Sequence, residues 1–109
     1  MTLGMEFNSA TIQAKANLYF EGRVISHTII LSDGARKTAG VILPGNYHFG
    51  TQQADRMEII EGEAEVLLDD SGKIAHYAAG QAFEVPANSG FTITVKAEAC
   101  HYVCSFLGV

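Results

Sequence analysis

The sequence predicts an all-β fold, a sandwich or a closed barrel. Three observations carry this. Turn signals recur at short spacing: Glu21-Gly22, Asp33-Gly34, Pro44-Gly45-Asn46, Glu61-Gly62, Asp70-Ser71-Gly72, Ala79-Gly80 and Ser89-Gly90. Between them lie short runs rich in β-branched and aromatic residues: Arg23–Leu31, Met57–Ile60, Ala64–Leu68, Phe91–Val95 and Tyr102–Leu107. Phe91–Val95 also alternates apolar and polar residues, as a half-buried strand does. Evenly spaced short strands are the mark of a sandwich or barrel. No segment sustains a 3.6-residue period. The one helical candidate is the short Ala-rich stretch Ser9–Ala16.

Bulk composition narrows the class. A chain of 109 residues is one domain. Its 48% hydrophobic and 17% charged content suits a globular core without staples. No apolar run approaches the ~20 residues that span a bilayer. Met1–Ala16 has no basic start followed by an apolar stretch, so a cytoplasmic protein is the expectation. A net charge of −5 with scattered basic residues argues against a nucleic-acid partner. Two cysteines, Cys100 and Cys104, would sit about 13 Å apart on one strand at ~3.3 Å per residue. A disulfide needs Cα atoms about 4.4–6.8 Å apart. Free thiols are expected, with Cys104 a small buried hydrophobe.

Residues 45–91 resemble a cupin frame. A metal cupin reads Gly-x5-His-x-His-x3-4-Glu-x6-Gly, then Gly-x5-Pro-x-Gly-x2-His-x3-Asn. Here Gly80-x5-Pro86 is intact, as is the gap from Asp55 to Gly62. Gly50 stands at the second His position, Asp55 at the Glu, and Phe91 at the last His; His48 aligns with the first ligand. Transition metals want several converging N, O or S donors. One His and one Asp do not supply them, so no metal is expected. The architecture expected is a single cupin jelly-roll barrel over residues 17–109, with an N-terminal extension over residues 1–16.

Five further pieces agree in order and spacing with one small cupin family: Tyr19–Gly22, Lys37–Pro44, Asp55–Glu63, Gly80–Ser89 and Tyr102–Cys104. Together they resemble the pyrimidine/purine nucleoside phosphorylases. That family usually carries Glu at Asp55 and Gly at Ala87. The resemblance implies attack of inorganic phosphate on C1′ of a nucleoside, giving free base and pentose 1-phosphate. It also implies broad tolerance of purine and pyrimidine nucleosides, no metal or other cofactor, and a homodimer.

Such a reaction passes through a cation-like sugar, and the protein contributes mainly positioning and electrostatics. For phosphate, Arg36, Lys37 and Thr38 form the best cluster, since a guanidinium grips two oxygens at once. Arg56 is a second candidate. Strand alternation puts Asp55, Met57 and Ile59 on one face and Arg56, Glu58 and Ile60 on the other. Arg56 and Glu58 would then face outward, as an ion pair at a sheet or dimer contact. For the base, Tyr47, Phe49, Phe91 and Tyr102 are the aromatic walls, and stacking is tolerant of base identity. For the sugar or its developing charge, Asp55 and Glu84 are the candidates; an inward carboxylate is costly to bury without a role. His48 is a candidate proton shuttle to the leaving base, or a satisfied polar residue. Three functions compete: a metal-free phosphorylase, a cupin module that holds a nucleoside or phosphate metabolite without turnover, and a metal-dependent dioxygenase. The last needs ligands that Gly50 and Phe91 cannot provide.

Overall fold

A computed structural model describes residues 5–107, and every described element is a strand. Eleven strands form two antiparallel sheets. The larger contains β1 (Thr11–Ile12), β2 (Asn17–Tyr19), β3 (Val24–Ile30), β4 (Arg36–Ile42), β6 (Asp55–Glu61), β9 (Ala82–Val85) and β11 (Cys100–Phe106). The smaller contains β5 (Gly45–Gly50), β7 (Glu63–Leu68), β8 (Ile74–Ala78) and β10 (Gly90–Val95). The order is β1-β3-β4-β11-β6-β9 in the first and β5-β10-β7-β8 in the second, with β2 sharing the β3 edge with β1. Chain order and spatial order differ in the jelly-roll manner.

The predicted strands are all present. Gly22, Gly34, Gly45, Gly62 and Gly80 have φ between 85° and 154°, so five of the seven glycines in the predicted turns occupy left-handed or mirror-β backbone, while Gly72 and Gly90 do not. The Ser9–Ala16 helix does not form. Ser9 itself has φ 56°, and Thr11 and Ile12 pair instead with Ile30 and Ile29. An eight-residue Ala-rich stretch is too short to hold a helix against ready sheet hydrogen bonds. Cys100 and Cys104 are both free and buried.

Alternation fills the space between the sheets. Val24, Ile42, Met57, Ile59, Val66, Phe83, Val85, Ile93 and Val95 are all buried there. Aromatic rings run through this core. Tyr77 lies 4.9 Å from Phe83, Phe83 stands edge-on to Phe91 at 5.6 Å, and Phe91 stacks on Phe49 at 5.6 Å. The Pro86–Ser89 turn is pinned by Thr51, whose hydroxyl donates to Pro86 O at 2.7 Å and accepts from Ser89 N at 3.1 Å.

Gly40 sits on the rung Ser26–Gly40–Tyr102 across β3, β4 and β11. A Cβ there would collide with the Ile25 carbonyl and stand 2.8 Å from Ser26 Cβ. The neighbours are backbone and a short side chain in mid-sheet, with little room to give. Gly40→Ala is expected to destabilise the fold by about 2 kcal/mol or more, the upper part of the usual overpacking range. Thermal unfolding reads this directly, and an unchanged midpoint would show that β3 and β4 part easily.

The β2–β3 connection holds unusual backbone. Phe20 has φ 53°, Glu21 φ 57° and Gly22 φ 85°. Gly22 N donates to Tyr19 O at 3.1 Å, closing a tight turn. Mirror-image turns match the twist of a hairpin but favour Asn and Gly. Phe and Glu in the left-handed region each cost on the order of 1 kcal/mol.

Candidate functional site

A cavity of about 210 Å³ opens between the sheets. The large sheet supplies Tyr19 from β2, Ser26 from β3, Thr38 and Ile42 from β4, Asp55 and Met57 from β6, and Tyr102, Cys104 and Phe106 from β11. Across from them stand Phe49 and Gly50 on β5 and Phe91 on β10. Register explains the grouping. Thr38, Cys104 and Met57 form one rung across three neighbouring strands, and Asp55 pairs with Phe106. The small-sheet wall of the cavity is aromatic, and the large-sheet wall sets Ser26, Thr38 and Asp55 among apolar and aromatic side chains.

Among the described residues Asp55 is the only carboxylate lining this cavity. Burial is the main reason its pKa is raised above the ordinary carboxylate value, and the Cys104 thiol beside it opposes the shift. Burial also pushes the Cys104 thiol up to about 12, reinforced by the charge of Asp55 and opposed by a hydrogen bond with Thr38. Cys104 is thus a neutral donor between Thr38 and Asp55. Tyr102 is likewise held up at about 12, by burial first, against a hydrogen bond with Ser26. The glycine at position 40 leaves Ser26 and Tyr102 with no side chain between them on their rung. Asn17 Nδ2 donates to Ser26 Oγ at 3.3 Å and to Thr28 Oγ1 at 3.2 Å.

Of the residues singled out from sequence, Thr38, Phe49, Asp55, Phe91 and Tyr102 meet in this cavity. The others do not line it. Arg36 shares strand parity with Thr38, two residues toward the exposed end of β4, on the side of the sheet that faces the cavity. Lys37 takes the opposite parity and donates to Ser105 Oγ at 2.6 Å on the outer face. Glu84 faces outward, paired across β6 and β9 with Arg56 at 3.4 Å. Arg56 does point outward, but its partner is Glu84 rather than Glu58, because directly opposed residues on adjacent strands sit closer than i, i+2 neighbours. Tyr47 is inward but buried away from the cavity, donating to Leu43 O at 2.9 Å.

His48 also faces outward, with Nε2 3.0 Å from Asp69 Oδ2 and its side chain 56% exposed. On β5 the odd positions Tyr47 and Phe49 face inward, so the alignment of His48 with an inward ligand is off by one residue. Among the described residues no three His, Cys, Asp or Glu side chains converge. Phe91, at the last cupin ligand position, carries no donor atom, and among the described lining residues Asp55 and Cys104 are the carboxylate and thiol present.

Sequence reasoning did not single out Tyr19, Ser26, Ile42, Cys104 and Phe106 as lining residues, and placed Met57 only on the face shared with Asp55. Alternation along β11 from Tyr102 offered a signal for Cys104 and Phe106. Tyr19, on a three-residue edge strand, had only its place in the Tyr19–Gly22 piece of the family resemblance.

The barrel and its cavity define a cupin-type protein whose site is built from a carboxylate, hydroxyls and aromatic rings. A family model described as pyrimidine/purine nucleoside phosphorylase matches residues 14–106. The chain is 46% identical over 107 residues to the pyrimidine/purine nucleoside phosphorylase of Paraburkholderia xenovorans, covering 98% of this chain and 100% of that one. It is 49% identical over 102 residues to the protein of the same name from Citrifermentans bemidjiense, covering 94% and 98%. A crystal structure of a protein of unknown function from Acinetobacter sp. ADP1 superposes with a TM-score of 0.91 at 44% identity, over 94% of this chain and 98% of that one. Oxalate decarboxylase from Bacillus subtilis superposes at 0.72 with 16% identity, over 95% of this chain and 30% of its own, a likeness of fold alone. The chain belongs to the pyrimidine/purine nucleoside phosphorylase family.

Proposed function

We propose that this protein is a nucleoside phosphorylase of broad specificity that needs no metal. An oxygen of inorganic phosphate forms a bond to C1′ while the C1′–N bond breaks. The bonding pair leaves with the base, which takes up the proton that the hydrogen phosphate gives up, and pentose 1-phosphate remains. The observation that carries this reading is the family match over residues 14–106 joined to a cavity with one carboxylate facing aromatic rings.

The roles follow from position. Phe49 is the stacking surface for the base, backed by Phe91, which is 3% exposed. An apolar ring reads no hydrogen-bond pattern, so it accepts purines and pyrimidines alike. Ionised Asp55 takes hydrogen bonds from the sugar hydroxyls and stabilises positive charge as the glycosidic bond breaks. Thr38 and Tyr102 supply further hydroxyls, and Arg36 at the mouth receives phosphate. Lys37, Tyr47, His48 and Glu84 have no part in this chemistry. The enzyme works as a cytoplasmic homodimer on small nucleosides, with phosphate as co-substrate and no nucleic-acid or membrane partner. No helix among the described residues is long and apolar enough to cross a membrane.

The test is release of free base from uridine and adenosine, with and without phosphate and with chelator present. Phosphate-dependent release that survives chelation is expected from both nucleosides. No release from either would leave a binding module in front, and release lost to chelator would overturn the metal-free chemistry.

A further inference from the structure

We infer that Tyr19 is a substrate-contacting residue that helps set specificity, held over the cavity as a clamp on the nucleoside base by the left-handed turn at Phe20-Glu21. The inference rests on the nucleoside reading of the same cavity. It goes further in assigning a contact to a residue outside the cupin frame.

Two observations carry it. Tyr19 lines the cavity yet is 44% exposed, whereas Phe91 and Tyr102 are almost fully covered. Its ring meets Phe49 edge-on at 5.8 Å with planes 81° apart, so Tyr19 and Phe49 form a corner rather than a continuous stack. A flat base laid on Phe49 would meet the Tyr19 ring along one side.

The turn explains how the ring stays there. Phe20 and Glu21 adopt backbone that Phe and Glu rarely take, and Gly22 follows with φ 85°. Phe20 is anchored edge-on to Phe49 at 5.3 Å and against Tyr47 at 5.0 Å. Tyr47 is itself fixed by its hydrogen bonds to Leu43 O and Pro44 O. An unfavourable turn persists only where its surroundings over-determine it, and such turns gather at sites that must be pre-arranged. Here the aromatic anchor of Phe20 fixes the turn, and the turn fixes Tyr19.

The experiment measures nucleoside affinity without turnover. Uridine and adenosine are titrated into the full chain by calorimetry in phosphate-free buffer. Quenching of tyrosine fluorescence gives a second reading, since the chain has four Tyr and no Trp. Tyr19→Ala is expected to weaken both affinities about tenfold, in line with loss of one base–aromatic contact, while Tyr19→Phe stays within about twofold. In phosphorolysis the loss falls on the nucleoside KM and not on the phosphate KM. Should Tyr19→Ala not fold, Tyr19→Leu keeps an apolar cover on Phe49 without a flat ring, and the same loss is required. Wild-type affinity in a folded Ala or Leu variant overturns the inference. So does a variant that binds normally but changes size in light scattering, which assigns the ring to a subunit contact. If the wild type binds nucleosides but releases no base, the phosphorylase reading fails alone, and the variants still decide the clamp. If the wild type binds neither nucleoside, both fall together.

Discussion

Asp55→Asn is expected to lower kcat/KM for phosphorolysis by about 10²–10³-fold, the usual effect of removing one preorganised electrostatic group, without lowering thermal stability. The two halves of this result have one cause. Burial raises the pKa of Asp55 above its ordinary value of 3.8, so the folded protein favours the neutral acid more than the unfolded chain does. Between the ordinary and the raised pKa the native state binds the extra proton, and stability falls as pH rises through that window. The stabilising contribution is complete below the unfolded pKa and gone above the folded one. At neutral pH the ionised group is therefore a burden on the fold. Asn keeps the shape and removes the charge, so its unfolding midpoint at pH 7 should match or exceed that of the wild type. A site that sacrifices stability for charge is one where the charge is used.

The same shift sets a pH profile. If ionised Asp55 stabilises the sugar cation, kcat/KM falls as pH drops through the raised pKa. That acid limb should lie above 3.8 and disappear in the Asn variant. Loss of both activity and stability in Asp55→Asn would point instead to a structural carboxylate held by Cys104. Full activity would remove Asp55 from the chemistry altogether.

Most of the fold was legible because its signals are local. Turn glycines mark the corners, and alternation marks the faces: Met57 and Ile59 are buried, 5% and 1% exposed, on the face expected of Asp55. What failed depended on knowledge that local pattern lacks. His48 was placed by spacing from a motif, and spacing through an irregular loop does not preserve parity. Residues 51–54 between β5 and β6 are such a loop, and a one-residue offset moves a side chain from cavity to solvent. The Arg36-Lys37-Thr38 cluster looks like one feature in the chain. On a strand it divides, with Lys37 pointing away from its neighbours. Glu84 looked available for substrate until β9 paired with β6 and set it opposite Arg56, a long-range pairing that no window of sequence contains. The place of Tyr19 at the cavity was hidden for the same reason, since its value comes from β5, across the barrel.

Arg36→Ala is expected to raise the phosphate KM about 10- to 100-fold and leave nucleoside affinity unchanged. Among the described residues no cation lines the cavity itself. Phosphate must therefore be met at the mouth, where the ionic partners of each basic group decide the question. Among the described residues the ion pairs are His48–Asp69, Arg56–Glu84, His76–Glu63 and Lys96–Glu65, and none includes Arg36. Arg23 is engaged with Pro44 O at 3.1 Å and the Tyr47 hydroxyl at 3.4 Å, and Lys37 is bonded to Ser105 on the outer face. Lys15 precedes β2 and Lys73 lies in the β7–β8 turn, whereas Arg36, whose register partner on β3 is Ile30, shares the inner parity of β4 with the cavity-lining Thr38. Hydrogen bonds to a charged group are worth about 1.5–3 kcal/mol, and about 1.4 kcal/mol is tenfold in affinity. Arg36→Lys should recover only part of the loss, because an ammonium cannot grip two oxygens in one plane. Steady-state kinetics with phosphate and nucleoside varied in turn separate the terms. A normal phosphate KM in the Ala variant would remove Arg36 from the phosphate site.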